Sequence, residues 1–182
     1  MKHAVAALAL SLASLTVHAQ PFVELGFGQS DMDVDFGFPS QDTKDTTFNI
    51  SGGWMFTPMI GIEIGYRDLG EAGGSITGPG GAGSVTFEAE GFQLGAVGRI
   101  PLGSSAFSIV PRVGLFKWDV KGRGVVNGVQ VSSLDEDGTD VYFGVGADYS
   151  ISRNLYLGAH WARFDLDDVD VDVIELRVGW KF

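Results

Sequence analysis

From residue 22 onward the chain alternates apolar and polar positions in eight segments of seven to eleven residues. In FVELGFGQ, Val23, Leu25 and Phe27 oppose Glu24, Gly26 and Gly28. A strand points successive side chains to opposite faces, so this pattern predicts a strand with one apolar face. In TFNISGGWMF, Phe48, Ile50, Trp54 and Phe56 oppose Asn49, Ser51 and Gly53. The third segment sets Ile60, Ile62, Ile64 and Tyr66 against Gly61, Glu63, Gly65 and Arg67, and the fourth sets Phe92, Leu94, Ala96 and Ile100 against Gln93, Gly95 and Arg99. In the fifth, Phe107, Ile109, Val113 and Leu115 oppose Ser108, Arg112, Gly114 and Phe116. The sixth opposes Val141, Phe143, Val145, Ala147 and Tyr149 to Tyr142, Gly144, Gly146 and Asp148. Leu155, Leu157, Ala159 and Trp161 then face away from Tyr156, Gly158 and His160. The last nine residues, IELRVGWKF, separate an apolar column ending in Trp180 and Phe182 from Glu175, Arg177, Gly179 and Lys181.

The links between these segments also alternate. Thr57-Pro58, Pro101 to Ser105 and Ser152-Arg153-Asn154 read as short turns after segments two, four and six. The links after one, three, five and seven read as long loops rich in Gly, Asp and Ser, with GEAGGSITGPGGAGS the most linker-like. Short turns at one end and long loops at the other, with an even strand count, predict an all-β, eight-stranded antiparallel up-and-down transmembrane β-barrel. Short turns and both termini are then expected on the periplasmic side. Trp54, Phe56, Phe107, Tyr149, Trp180 and Phe182 gather at that rim, and Phe48, Tyr66, Phe143 and Trp161 at the other. Two aromatic belts are what lipid headgroups select. A soluble ligand-binding barrel needs the inverse, apolar inside and polar outside.

Composition agrees with this reading. The first nineteen residues form a signal peptide: Lys2, the apolar stretch Ala4 to Leu15, and Val17-His18-Ala19 as the cleavage pattern. Cleavage after Ala19 leaves residues 20–182 as the outer-membrane β-barrel domain. No apolar run reaches the ~20 residues a membrane helix needs, so any span is made of strands. Cysteine is absent, and an exported chain without disulfides fits a closed hydrogen-bonded barrel. The formal charge of −11 becomes −12 once Lys2 is removed, and basic residues are scattered singly. That excludes nucleic acid as a partner.

The inward column collects Glu24, Glu63, Arg67, Arg99, Arg112, Asp148, His160, Glu175, Arg177 and Lys181. Mixed signs allow either a structural salt-bridge plug or a narrow gated ion path, with the inward glycines leaving room for long arginines. His160 is the one histidine left after signal removal. No serine nucleophile follows in HWARFD, so the reading is an interior histidine rather than a catalytic one. Acids crowd the links: Asp31, Asp33 and Asp35; Asp135, Glu136, Asp137 and Asp140; Asp165, Asp167, Asp168, Asp170 and Asp172. Such oxygens suit Ca²⁺ or Mg²⁺, although the spacing is not that of a calcium loop, and a solvated acidic loop is the simpler reading. No metal, cofactor or catalytic site is expected.

With its signal, its eight alternating segments and the terminal Trp180-Lys181-Phe182, the mature chain resembles the small outer-membrane β-barrel family of Gram-negative bacteria. That family includes the OmpA-type transmembrane domain and its porin-family relatives. The resemblance implies a cell outer membrane location among lipid and lipopolysaccharide. It also implies recognition of Phe182, with Trp180 beside it, by the barrel-assembly machinery. No periplasmic cell-wall-binding domain follows the barrel, so anchoring is not carried over. The expected function is a structural or surface-interaction role with an unidentified surface ligand. A narrow pore is the alternative, and a lipid-modifying enzyme ranks behind both.

Overall fold

The computed structural model describes residues 20–32, 41–42, 44–78, 81–166 and 169–182. The signal segment and Asp33, Asp35, Asp167 and Asp168 lie outside the described residues. Eight long strands run in chain order: β1 (Gln20–Met32), β2 (Lys44–Met55), β3 (Ile60–Gly78), β4 (Gly81–Gly98), β5 (Phe107–Val126), β6 (Val129–Ser150), β7 (Leu155–Leu166) and β8 (Val169–Lys181). Each pairs antiparallel with its sequence neighbours, and β1 pairs with β8 from Phe22↔Lys181 to Met32↔Val171. The sheet therefore closes on itself and leaves no edge in the barrel wall. Two-residue strands at Gln41–Asp42 and Ile100–Pro101 flank β3 and β5.

Every predicted segment falls on one of these strands, with Phe56, Arg99, Ile100 and Phe182 just past the strand ends, and burial follows the predicted faces. Val23, Leu25, Ile62, Leu94, Val113, Leu157 and Leu176 are exposed on the outside, while Glu24, Glu63, Arg112 and Glu175 are buried inside. At the end bearing the termini, side chains hold the tight turns. The Thr57 hydroxyl accepts from the N–H groups of Met59 and Ile60 at 3.2 and 3.0 Å. The Ser152 hydroxyl accepts from those of Asn154 and Leu155 at 3.3 and 3.0 Å. Such short hydroxyl-closed turns need few residues.

The opposite end differs from the expectation of long loops. GEAGGSITG belongs to β3 and pairs with β4 as far as Gly78↔Gly81. DEDGTD lies in β6, and β5–β6 pairing continues to Val126↔Val129. Asn127 and Gly128, with φ of 51° and 80°, make the two-residue turn there. Positive φ at both positions is the turn whose twist matches a hairpin, and Asn-Gly is its preferred pair. Asp31, Asp165, Asp170 and Asp172 also lie in strands rather than loops.

Barrel pairing stops earlier than these hairpins do. The β2–β3 ladder ends at Phe48↔Asp68, and the β6–β7 ladder begins at Tyr142↔Phe164. Beyond those rungs β3, β4, β5 and β6 continue together as a four-stranded sheet standing above the rim. Along β5 the alternation continues into this sheet, with Trp118 buried and Asp119 and Lys121 exposed, and it is lost only toward the tip of β6, where residues 129–137 are all exposed and neither face has to be apolar.

Candidate functional site

Alternation carries four arginines and four acids into the barrel: Arg67, Arg99, Arg112 and Arg177 with Glu24, Glu63, Asp148 and Glu175, all buried. Their formal charges cancel. Arg67 on β3 grips Glu175 on β8 through two parallel bonds of 3.0 Å. Arg177 donates to Glu175 at 2.7 Å and to Glu24 on β1 at 2.8 Å. Arg112 on β5 sits at the centre, reaching Glu63 at 2.9 Å, Glu24 at 2.6 Å and His160 Nδ1 at 2.7 Å. A guanidinium only donates, so Nδ1 accepts and the ring proton sits on Nε2. That nitrogen bonds Asp148 at 2.8 Å, which leaves His160 neutral and both its nitrogens engaged. Arg99 completes the chain at Asp148, 2.6 Å away.

Neutral groups satisfy the remaining lone pairs. Tyr142 donates to Glu63 at 2.9 Å and Tyr156 to Glu24 at 2.8 Å. Gln93 links Arg67 to Glu63 at 3.4 and 3.3 Å. Among the described residues, three buried side-chain atoms have no partner: Asn49 Oδ1, Ser51 Oγ and Arg99 Nε. Burying charge is costly unless every group is paired and hydrogen-bonded, and this interior comes close to that condition. Lys181, expected within the network, forms no ion pair there among the described residues. It is half-buried at the mouth, its ammonium 5.0 Å from the Tyr156 ring.

Gly26 lies beside the Arg177 stem, as expected, but other inward glycines make room for rings rather than arginines. A Cβ at Gly179 would strike the Tyr156 ring, and one at Gly146 would strike the His160 imidazole. The rings lie flat against bare backbone, and a methyl at either position would push a network member out of reach.

Apolar layers close both sides of this charged belt. Toward the protruding sheet, Leu69, Phe116, Tyr142, Phe164, Val171 and Val173 form a buried cluster. Phe164 packs edge-on against Phe116 at 4.9 Å and stacks on Tyr142 at 5.3 Å. The Arg67 guanidinium lies 4.9 Å from the same ring. At the terminus-bearing end, Phe22, Met55, Val97 and Val110 make a smaller plug.

The outside is built for lipid. Trp54, Phe56, Phe107, Tyr149, Trp180 and Phe182 ring the terminus-bearing end, all exposed. The second belt pairs Phe27 with Phe48 at 5.0 Å, Tyr66 with Phe92 at 5.5 Å and Phe143 with Trp161 at 5.7 Å. Phe27 and Phe92 are additions to the predicted belt. Between the rings, residues such as Leu176, 71% exposed, have no protein to cover them.

This inverted barrel, apolar outside and ionic inside, agrees with comparison to known proteins. The outer membrane protein β-barrel domain matches residues 4–182. The chain belongs to that family. No curated protein matches the sequence. Ail, the attachment invasion locus protein of Yersinia pestis, is 20% identical with a TM-score of 0.63, over 90% of this chain and 99% of Ail. The N-terminal β-barrel domain of Pseudomonas aeruginosa OprF is 16% identical with a TM-score of 0.57, over 91% of this chain and 100% of that domain. Neisserial surface protein A is 15% identical, also at 0.57, over 89% and 97%. At such identities the likeness is one of fold.

For this outer-membrane barrel, sequence reasoning named the charged members of the interior but not Gln93, Tyr142 and Tyr156 as their partners. All three stand in the inward column, so alternation alone was the available signal. The apolar seal was harder to read. Trp118, Phe164, Val171 and Val173 lie in stretches assigned to loops or left unassigned. Among the described residues no group of three or more acids or histidines is placed to hold a metal ion.

Proposed function

We propose that this chain is a non-conducting, non-enzymatic barrel of the outer membrane that serves as a scaffold for surface interaction. The observation that carries the reading is the sealed interior. Arg112 is bonded to two acids and a histidine at once, and apolar clusters lie on both sides. An ion would have to break charge-assisted bonds and cross an apolar layer to pass. His160 has no free nitrogen with which to act as a base. The protruding sheet is the part free to meet other molecules, with the termini and short turns assigned to the periplasm.

A narrow pore is the competing reading, favoured by the polar chain running from Lys181 and Arg99 inward to Arg67. Single-channel recording of the refolded mature chain in planar bilayers decides between them. Silence across a wide voltage range is expected, and discrete conductance steps overturn the scaffold reading. Biogenesis is assigned as the sequence suggests. The signal is cut after Ala19, and Trp180 and Phe182, both on the lipid face, are read by the assembly machinery. An outer-membrane fraction whose protein begins at Gln20, and whose heat-modifiable form falls when Phe182 is removed, is the expected result. An unchanged yield would overturn the role of Phe182.

A further inference from the structure

The sheet above the rim changes character toward its tips. On its outer face one rung across β3, β4, β5 and β6 carries Asp68, Glu90, Asp119 and Asp137, and the next carries Glu71, Glu88, Lys121 and Asp135. Lys117 stands below these rungs, opposite Phe92 of the aromatic belt, and Arg123 stands above them, opposite Thr86 and Ser133. Seven acids thus share this collar with three bases. Beyond it charge ends: no residue from 72 to 87 or from 124 to 134 is charged.

The two uncharged tips are joined. The Asn127 N–H donates to the Ala82 carbonyl at 2.8 Å, and the Asn127 side-chain oxygen accepts from the Ala82 N–H at 3.0 Å. Gly81, at a φ of 124°, lies against the same side chain, where a Cβ would collide. The polar group of the turn is thereby held within the molecule. Gln130 lines the polar cleft beneath, with Lys121 and Arg123. Around the turn remain Val126, Val129 and Val131, which are 45%, 64% and 62% exposed. Val125 continues the outer face and Val126 takes the opposite one, so the cap is apolar on both.

A protein groove covers one face of a strand, whereas a fluid covers both. Pairing runs to Val126↔Val129, so the facing backbone groups of the hairpin are satisfied without water. Val126 lies about 30 Å beyond Lys117 along the strand, at ~3.3 Å per residue, out of reach of the membrane that holds the barrel. We propose that the joined tips enter the surface of a second lipid bilayer as a shallow apolar cap. With Val126 at the acyl boundary, Arg123, roughly 10 Å below it, comes level with the headgroup phosphates. The acids beneath repel an anionic surface, so the bilayer that fits is zwitterionic, of the phosphocholine kind. This deepens the surface-interaction reading and rests on it.

The chain has no cysteine, so Val129→Cys accepts a single environment-sensitive dye. The test mixes the labelled mature chain in nanodiscs with phosphatidylcholine vesicles. Expected are a blue shift that nitroxide-labelled lipid in the vesicles quenches, and flotation of the unlabelled parent with the vesicles. Val126→Lys with Val131→Lys weakens flotation by about tenfold or more, with heat-modifiable migration unchanged. Vesicles containing phosphatidylglycerol bind more weakly at low salt. An unshifted dye or a parent that does not float overturns the proposal. A shift that the vesicle nitroxide leaves unquenched places the tip in a protein contact and overturns it too. So does equal flotation of the double variant, or binding to phosphatidylglycerol vesicles that is as tight or tighter. A barrel silent in bilayers whose dye does not shift loses the tip assignment while the scaffold reading stands. A conducting barrel removes the scaffold reading itself.

Discussion

The barrel lumen and the sheet above the rim are made from the same strands, yet they treat charge in opposite ways. β4, β5 and β6 send Gln93, Arg112 and Asp148 inward, where each meets a partner on another strand. Higher up the same three strands present Glu88, Asp119, Asp135 and Asp137 to water, and among the described residues none of these four is held by an ion pair. The difference is one of solvation. Inside, a charge has lost its water and must be matched, so acids and arginines occur in equal number. Outside, water screens each carboxylate, and nothing in the fold requires a counterion there. The family's architecture permits this division, and among the described residues the acids outside the lumen outnumber the bases there.

The sharpest way to break this contrast is to unbalance the lumen. Arg112→Leu leaves Glu63 with hydrogen bonds from Gln93 and Tyr142 but no counterion, and removes one of the arginines holding Glu24. A loss of about 3–5 kcal/mol is expected, since removing one partner strands a buried charge. Urea unfolding in lipid vesicles measures it, and a variant as stable as the parent would show that the network is not a structural plug.

Lipid against water is the next comparison. Leu25→Arg places a charge on the outer wall between Ile50 and Val178, at an expected cost of about 2–4 kcal/mol if the site lies near the bilayer midplane. Val131→Arg substitutes a still more exposed apolar residue on the protruding hairpin and should change stability by less than about 0.5 kcal/mol. Equal costs in the same unfolding experiment would mean that lipid does not end where the barrel pairing does.

The smallest effect belongs to the pair just above the belt. Glu90 accepts from the Tyr66 hydroxyl at 2.5 Å and from Lys121 at 3.0 Å. The tyrosine bond first, and then the lysine, hold its carboxyl below the ordinary glutamate range. A depressed folded-state value means the stabilisation is present above the ordinary glutamate range and is lost as the pH falls through the lowered one. Glu90→Gln should therefore cost less than about 1 kcal/mol at neutral pH, because solvent screens an exposed pair. The gap from the parent should close on acidification. A gap that widens in acid would contradict the assignment.

Fold and lumen were legible to different depths. Alternation alone placed Glu63 and Arg67 inside and Ile62 and Ile64 outside, because lipid demands an apolar column along the whole transmembrane length. It could not say that Arg67 would choose Glu175, a residue 108 positions away in the chain, since that depends on which strands closure brings face to face. Lys181 shows the limit from the other side: its parity is inward, but its place at the strand end leaves it at the mouth.

The sheet above the rim was missed for a related reason. VVNGVQV contains the strongest short-range hairpin signal, but on its β6 side residues 129–137 lack the one-sided apolar column used to find strands, because all of them meet water. Sequence by itself determined the number of strands, the face each residue takes inside the membrane and the location that such a wall requires. These follow from local periodicity and solvent. Only the tertiary structure decided the pairing of the buried charges, the apolar seals and the sheet above the rim, because each depends on register between strands and on where one ladder outruns its neighbour.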